Sequence, residues 1–329
     1  MNGMSQETQS SGANFGGLRV AAFESRRADD TRRLIERHGG EPIVAPSMRE
    51  VPLEDNADAV DFAHRLLTGQ VDVVLFMTGV GFRHLLAAVE RKVDRERFLA
   101  SLSDCVTVAR GPKPVAAMRE VGLTPTHRVP EPNTWRELLD TLDREVPIAS
   151  QNVSLQEYGI PNPSLIAGLE ARGAKVDCLK VYDWEFPLDT KPLEQTLSQL
   201  AAGEIDVVMF TSANQVVNVL RMAQQMQLAE QVRQGLRSAV IVSIGPTCIE
   251  RWRAEDLPVD LEPTHPKLGH MVREAAERAS ELLTRKRHVV EVLSGPTTDV
   301  QDTSAPWYDN PFMKACRREP TDVTPVWLM

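Results

Sequence analysis

The chain has 329 residues, 42% of them hydrophobic and 25% charged, with a formal net charge of −9; that length accommodates two domains with a core each. The acidic balance and the lack of a long basic stripe exclude a nucleic-acid surface. The longest unbroken apolar run, residues 73–77, is too short to cross a membrane, and residues 1–17 carry no apolar stretch for a signal peptide, which points to the cytoplasm.

Residues 1–17 are polar and glycine-rich and are expected to be disordered. Residues 18–46 read as a strand, a turn and a helix, and the SMREVPLED that follows reads as an extended connector. Val71–Met77 is a short apolar run of the kind found in strands buried on both faces of a parallel sheet. Val80–Val89 then places apolar residues at helical spacing. From Cys105, CVTVARGPKPVAAMREVGLTP gives a further strand, a Gly111-Pro112 turn and a helix. Residues 176–189 (VDCLKVYDWEFPLD) form a second extended, proline-ended stretch. Ile205–Phe210 is a strand, Val216–Met222 a helix, and AVIVSIGPTCIERWRAEDLPV repeats the strand-and-turn pattern around Gly245-Pro246. Residues 284–308 have the composition of a flexible linker.

Three of these segments recur. GQVDVVLFMTGVGFRHLL and GEIDVVMFTSANQVVNVL begin at Gly69 and Gly203, and the two Gly-Pro turns lie at Gly111 and Gly245; both pairs are 134 residues apart. A weaker match sets Gly40 against Gly173. The chain is a duplication. Alternating strands and helices imply parallel sheets with helices on both sides. The two extended connectors flank residues 51–176, so the chain is expected to leave lobe one, build lobe two completely and return. Lobe one is then 18–46 plus 185–283, and lobe two with its linker strands is 47–184.

Ligands of open parallel sheets bind beyond the carboxyl ends of the strands, at helix N-termini whose amides are unpaired. Four turns fit: Thr78-Gly79, Arg110-Gly111, Thr211-Ser212 and Gly245 with Thr247. Ser212 and Gln215 fit a capping box. Serine, threonine and glycine at such places are caps first, but four equivalent turns on one edge of two lobes favour a shared cleft for an anion. Arg110, Lys113 and Lys267 add positive charge. Tyr158, at the first strand-to-helix turn of the second repeat, offers a hydroxyl able to donate a hydrogen bond. No phosphate loop, dinucleotide fingerprint or nucleophile elbow occurs. The seven histidines and four cysteines are scattered and suggest neither a metal site nor a disulfide framework.

Over about residues 18–283 the chain resembles uroporphyrinogen-III synthase, through MTGVGFRHLLAA, TVARGPKPVAAMREVGL, VSLQEYG, VVMFTSANQVVNVL and SIGPTCIERWRAEDLPVDLEPTHPKLGHMV. The resemblance implies an α/β fold of two flavodoxin-like parallel-sheet lobes joined by a two-stranded linker. It implies closure of hydroxymethylbilane, which bears eight carboxylates, to uroporphyrinogen III without metal or cofactor. Tyr158 matches the tyrosine that assists departure of the hydroxyl, and Thr78, Arg110, Gly111, Thr211, Ser212, Gly245 and Thr247 match the cleft lining. The Thr-Arg or Ser-Arg pair frequent after the family's first strand is displaced here by Phe23-Glu24-Ser25-Arg26. Residues 309–329 resemble the start of uroporphyrinogen decarboxylase, so a fused or neighbouring decarboxylase is an expected partner. The synthase itself is expected to act as a monomer on a small molecule, with no nucleic-acid or membrane partner. The alternative is a non-catalytic tetrapyrrole- or anion-binding regulatory module of the same fold.

Overall fold

Apolar runs without polar interruption make strands buried on both faces, and a capped helix follows most of them. The structure, a computed structural model, describes residues 12–53, 56–159, 161–294, 308–316 and 319–320. It opens with β1 (Arg19–Ala22), α1 (Ala28–Arg37), β2 (Glu41–Val44) and β3 (Arg49–Pro52). Then come α2 (Ala57–Leu67), β4 (Val73–Phe76), α3 (Gly79–Val89), α4 (Arg95–Asp104), β5 (Val106–Ala109), α5 (Pro112–Arg119), β6 (His127–Arg128) and α6 (Trp135–Glu145). Next are β7 (Asn152–Gln156), α7 (Pro163–Glu170), β8 (Lys175–Leu179) and β9 (Tyr182–Glu185). The chain continues with α8 (Lys191–Ala201), β10 (Val207–Phe210), α9 (Ala213–Gln225), α10 (Ala229–Ser238), β11 (Val240–Ser243) and α11 (Pro246–Ala254). It closes with α12 (Leu268–Ser294) and α13 (Pro311–Cys316). No helix among the described residues is long and apolar enough to cross a membrane.

Two parallel sheets result, joined by an antiparallel ribbon. One sheet has the order β2-β1-β10-β11 and the other β8-β7-β4-β5-β6. Both follow the flavodoxin-like sequence, in which the third strand sits beside the first. The second sheet is a permutation of the first, because its leading strand β7 comes after β4 to β6 in the chain. Each sheet therefore takes strands from both copies of the duplication: β1 pairs with β10, and β4 with β7. The ribbon pairs β3 with β9, with Arg49 opposite Glu185 and Pro52 opposite Tyr182.

Alternation along the central strands explains their unbroken apolar sequence. In β10, Val208 and Phe210 enter the core under α8 and α9, whereas Val207 and Met209 enter the core under α12. In β4, Val74 and Phe76 face one core, and Val73 and Leu75 the other. α12 supplies Met271, Val272, Ala275, Ala276, Ala279 and Leu283 to its face, spaced as one helical stripe. The basic run 285–288 is largely spent on holding this helix: Lys286 pairs with Asp260 at 2.7 Å and Arg287 with Asp206 at 2.6 Å.

Several expectations are corrected. Residues 12–17, expected to be disordered, are ordered: Phe15 is 1% exposed and its amide donates to the His38 carbonyl at 2.8 Å. Residues 1–11 lie outside the described set. The stretch 176–189 is not one connector, because β8 claims its beginning for a lobe sheet and β9 takes the next residues into the ribbon. The linker expected from 284 starts as helix, since α12 continues to Ser294. Of the decarboxylase-like tail, the described part contains α13, and Arg317-Arg318 lie outside it.

Packing between α8 and α10 depends on one small residue. A Cβ on Gly235 would sit 2.0 Å from the Leu200 carbonyl oxygen, a backbone atom that cannot swing away. Glycine to alanine inside a helix ordinarily stabilises by about 0.5–1 kcal/mol. Here the sign is expected to reverse: Gly235→Ala should cost about 1–3 kcal/mol, read as a lower urea midpoint at unchanged slope.

Candidate functional site

All four expected turns begin helices at the carboxyl ends of parallel strands: Thr78, Gly111, Ser212 and Gly245 are the N-caps of α3, α5, α9 and α11. Their hydrogen bonds divide them into two kinds. Thr78 Oγ1 accepts from the Gly81 amide at 2.9 Å, and the Thr78 amide donates to Gln156 Oε1 at 3.3 Å. Ser212 Oγ accepts from the Asn214 amide at 3.2 Å, and the Thr211 amide donates to Gln215 Oε1 at 2.8 Å. In each of these turns the hydroxyl caps one amide of its own helix and a glutamine side chain accepts from one turn amide. The expected Ser212–Gln215 capping box is therefore not formed; Gln215 reaches one residue further back and leaves Ser212 to cap alone. The Thr211 hydroxyl is committed too, as a donor to Glu24.

The Gly-Pro turns differ. Neither Gly111 nor Gly245 makes a side-chain cap bond, and proline follows each as the first helical residue. These are the two ends without a side-chain cap, one in each lobe, and each carries the positive end of a helix dipole; in α5, Pro112 and Pro114 have no N–H, so Lys113 alone among the first three residues offers an amide, and in α11 the Cys248 amide is already bonded to the Gly245 carbonyl at 3.1 Å. Gly111 needs to be glycine: its φ is +91°, and a Cβ would lie 2.7 Å from Asn133 Oδ1. Gly245 does not: its φ of 170° is extended, and an added Cβ would meet only Pro266, at 3.7 Å. Thr247 lies in the first turn of α11, half-buried, with no side-chain partner among the described residues. Lys267 is exposed, next to that Pro266, at the start of α12. Gly79 serves packing, since a Cβ there would meet the Lys113 carbonyl oxygen at 2.5 Å.

Tyr158 stands where the lobes and the ribbon meet. Its carbonyl accepts from Trp184 Nε1 of the ribbon at 3.0 Å and from Asn214 Nδ2 of lobe one at 3.4 Å. The Arg110 guanidinium stacks over its ring, 5.2 Å from the centroid, a cation–π arrangement. Arg110 Nε is buried without an acceptor, and the side chain has no carboxylate partner among the described residues. Burial lowers the Arg110 pKa from its ordinary value, with the Tyr158 and Tyr182 phenols pulling the other way; the guanidinium stays charged at neutral pH. An arginine held this way has no carboxylate of its own among the described residues, and a planar guanidinium fork is geometrically suited to an anion.

Burial raises the Tyr158 phenol above its ordinary range, while Arg110 and the Asn162 side chain oppose the rise. The phenol is thus a protonated donor at neutral pH. The thiols of Cys105, Cys178 and Cys248 are pushed up to about 11, first by desolvation, which makes them poor nucleophiles.

The lobes also touch across the gap through residues that the motifs of the sequence do not single out. Trp135 Nε1 donates to Glu250 Oε2 at 3.3 Å, and Arg136 donates to Glu250 Oε1. The motif Thr134-x-x-Glu137 signals a helix start, and both halves of that capping box form. It is the one readable sign that another helix N-terminus ends at this edge. Arg26, displaced from the family pattern, pairs with Glu50 of the ribbon at 2.7 Å.

The profile of the family described as uroporphyrinogen-III synthase HemD matches residues 29–273. An uncharacterized Bacillus subtilis protein, YjjA, is 28% identical over 266 residues, 80% of this chain and 97% of its own. A mutant uroporphyrinogen III synthase from Thermus thermophilus superposes with a TM-score of 0.63 at 27% identity, over 80% of this chain and 99% of its own. The wild-type Thermus enzyme, in another crystal form, has 28% identity and a TM-score of 0.49 over 80% of this chain and 98% of its own.

The Arg110–Tyr158 pair has a measurable consequence. Removing the cation with Arg110→Met should move the phenol further up, so that phenolate absorbance appears at higher pH than in the parent. Tyr182→Phe and Tyr308→Phe in both backgrounds isolate the signal, because the chain has only three tyrosines. The sign for stability follows: a raised phenol pKa stabilises fully below the unfolded value of about 10 and ceases to as pH rises through the folded value. An unmoved titration would show that the guanidinium does not sense the ring.

Proposed function

The chain belongs to the uroporphyrinogen-III synthase HemD family, and we propose that it is a cytoplasmic, monomeric enzyme that closes hydroxymethylbilane to uroporphyrinogen III. The observation that carries this reading is Arg110, without a carboxylate partner among the described residues and stacked on Tyr158, next to the uncapped start of α5. A flexible polycarboxylate offers anions to Arg110 and to the α5 and α11 termini at once. Lys267 and the Thr247 hydroxyl add contacts at the α11 mouth. Thr78, Gly79, Thr211 and Ser212 act on it indirectly, by capping and packing the helices that frame the gap.

The chemistry needs geometry more than strong acid. The C–O bond of the terminal hydroxymethyl breaks, its electron pair leaves with oxygen, and oxygen takes up a proton to depart as water. The resulting azafulvene is attacked by the far ring. Attack at its free carbon gives isomer I; attack at its substituted carbon gives a spiro intermediate that reopens with the ring inverted, leading to isomer III. Folding the chain into the second near-attack arrangement is the enzyme's task. The Tyr158 phenol donates a hydrogen bond to the departing oxygen, and its carbonyl, tied to Trp184 and Asn214, holds it at the junction of the lobes.

Fresh hydroxymethylbilane with resolution of isomers I and III tests the reading; isomer I alone at the spontaneous rate would leave a tetrapyrrole-binding module. Tyr158→Phe is expected to slow formation of isomer III on the order of a hundred-fold, with unfolding unchanged. Gly245→Ala should fold normally, because the methyl group has room, yet raise KM by crowding the uncapped helix start; an unaltered KM would remove that turn from the binding surface. By the same reading, the tail from 309 belongs to a synthase–decarboxylase fusion or its descendant. That idea rests on tail sequence, and reading the gene beyond Met329 tests it.

A further inference from the structure

We propose that Arg136 and Trp135 form a carboxylate subsite of the interlobe gap, and that Glu250 occupies it as an internal stand-in for a substrate carboxylate. The identity of the incoming ligand rests on the function proposed above; the subsite itself rests on geometry. Two donors from the first turn of α6 in lobe two, Trp135 Nε1 and the Arg136 guanidinium, each take a different oxygen of one carboxylate from α11 in lobe one. The guanidinium carbon lies 4.4 Å from the Trp135 ring centroid, so the ring holds the cation in place. A planar fork beside an indole N–H is a donor set suited to a free carboxylate.

Three further observations favour exchange over a permanent tie. The pair is accessible, with Arg136 side-chain exposure of 55% and Glu250 of 34%, and exposed ion pairs are weak. Among the described residues, Glu250 makes no other hydrogen bond, so its release orphans nothing else. The Tyr158 phenol, raised first by burial, is also raised to a lesser degree by the Glu250 charge, so the two groups sense each other electrostatically. A fixed carboxylate in a gap that receives a polyanion repels its ligand. One that swings away as the ligand arrives leaves a cation behind for the ligand to use. Displacing Glu250 also severs a contact between the lobes, so binding of the carboxylate and release of that contact are one event.

The test is a double-mutant comparison on the full chain with uroporphyrin III, the oxidised octacarboxylate product, titrated against tryptophan fluorescence. Glu250→Gln removes the competitor and is expected to tighten Kd by up to roughly five-fold. Arg136→Ala made in the Glu250→Gln background is expected to weaken Kd by roughly five-fold, more than it does in the parent. Arg136→Lys in the same background should fall between, having charge without the fork. An Arg136→Ala change that is silent in that background means the pair is only a latch and overturns the subsite, as does failure of the Glu250→Gln chain to bind the porphyrin at all. Arg136 is exposed and Glu250 half-buried, and unchanged Tm values verify folding. Loss of isomer III formation by the parent chain would strike at the function reading instead, while the Kd comparison would still decide the subsite.

Discussion

A parallel strand buried on both faces can meet solvent only at its ends, and there the next helix begins with amides that have no partner inside the helix. Each turn at this edge must either cap those amides from its own side chains or leave them for something else. The two hydroxyl turns cap themselves, through Thr78 and through Ser212 with Gln215 behind it. The two Gly-Pro turns have no side chain to do so. That one such uncapped end falls in each lobe follows from the duplication.

The swapped strands decide how the gap is held. Because each sheet contains strands of both repeats, the chain crosses between lobes twice, and both crossings run through the β3–β9 ribbon. The ribbon is more than a tether. Glu50 accepts from Arg26 of lobe one at 2.7 Å and lies 2.7 Å from the Nε2 of His84 of lobe two, and Trp184 holds the Tyr158 carbonyl. Among the described residues the direct lobe-to-lobe hydrogen bonds are few, and a partly exposed ion pair such as Arg136–Glu250 contributes roughly 0–1 kcal/mol.

Most of the candidate site was legible only as places along the chain. Thr78, Arg110, Gly111, Ser212 and Gly245 could be found because strand, turn and helix have different periods and turn chemistry is local. How the amides of the hydroxyl turns are tied could not, since it depends on Gln156 reaching the Thr78 amide from 78 residues away, and on Gln215 choosing the Thr211 amide over its neighbour. Glu24, Trp135, Arg136, Trp184, Asn214 and Glu250 carry no local pattern that marks them. Each matters through a partner on another element. The same reason hid the order in residues 12–17, where Phe15 is anchored by a core assembled from β1, β10, β11 and α12.

The duplication, the alternating α/β elements, the positions of the turns and the family resemblance are written in spacing and residue type along one dimension. Which strands share a sheet, that Tyr158 sits at the meeting point of two lobes and the ribbon, and that Arg110 has no carboxylate among the described residues while Arg136 has one emerge from the folded chain. Those outcomes depend on burial and on hydrogen-bond competition between residues distant in the chain, quantities that exist only once the chain has folded.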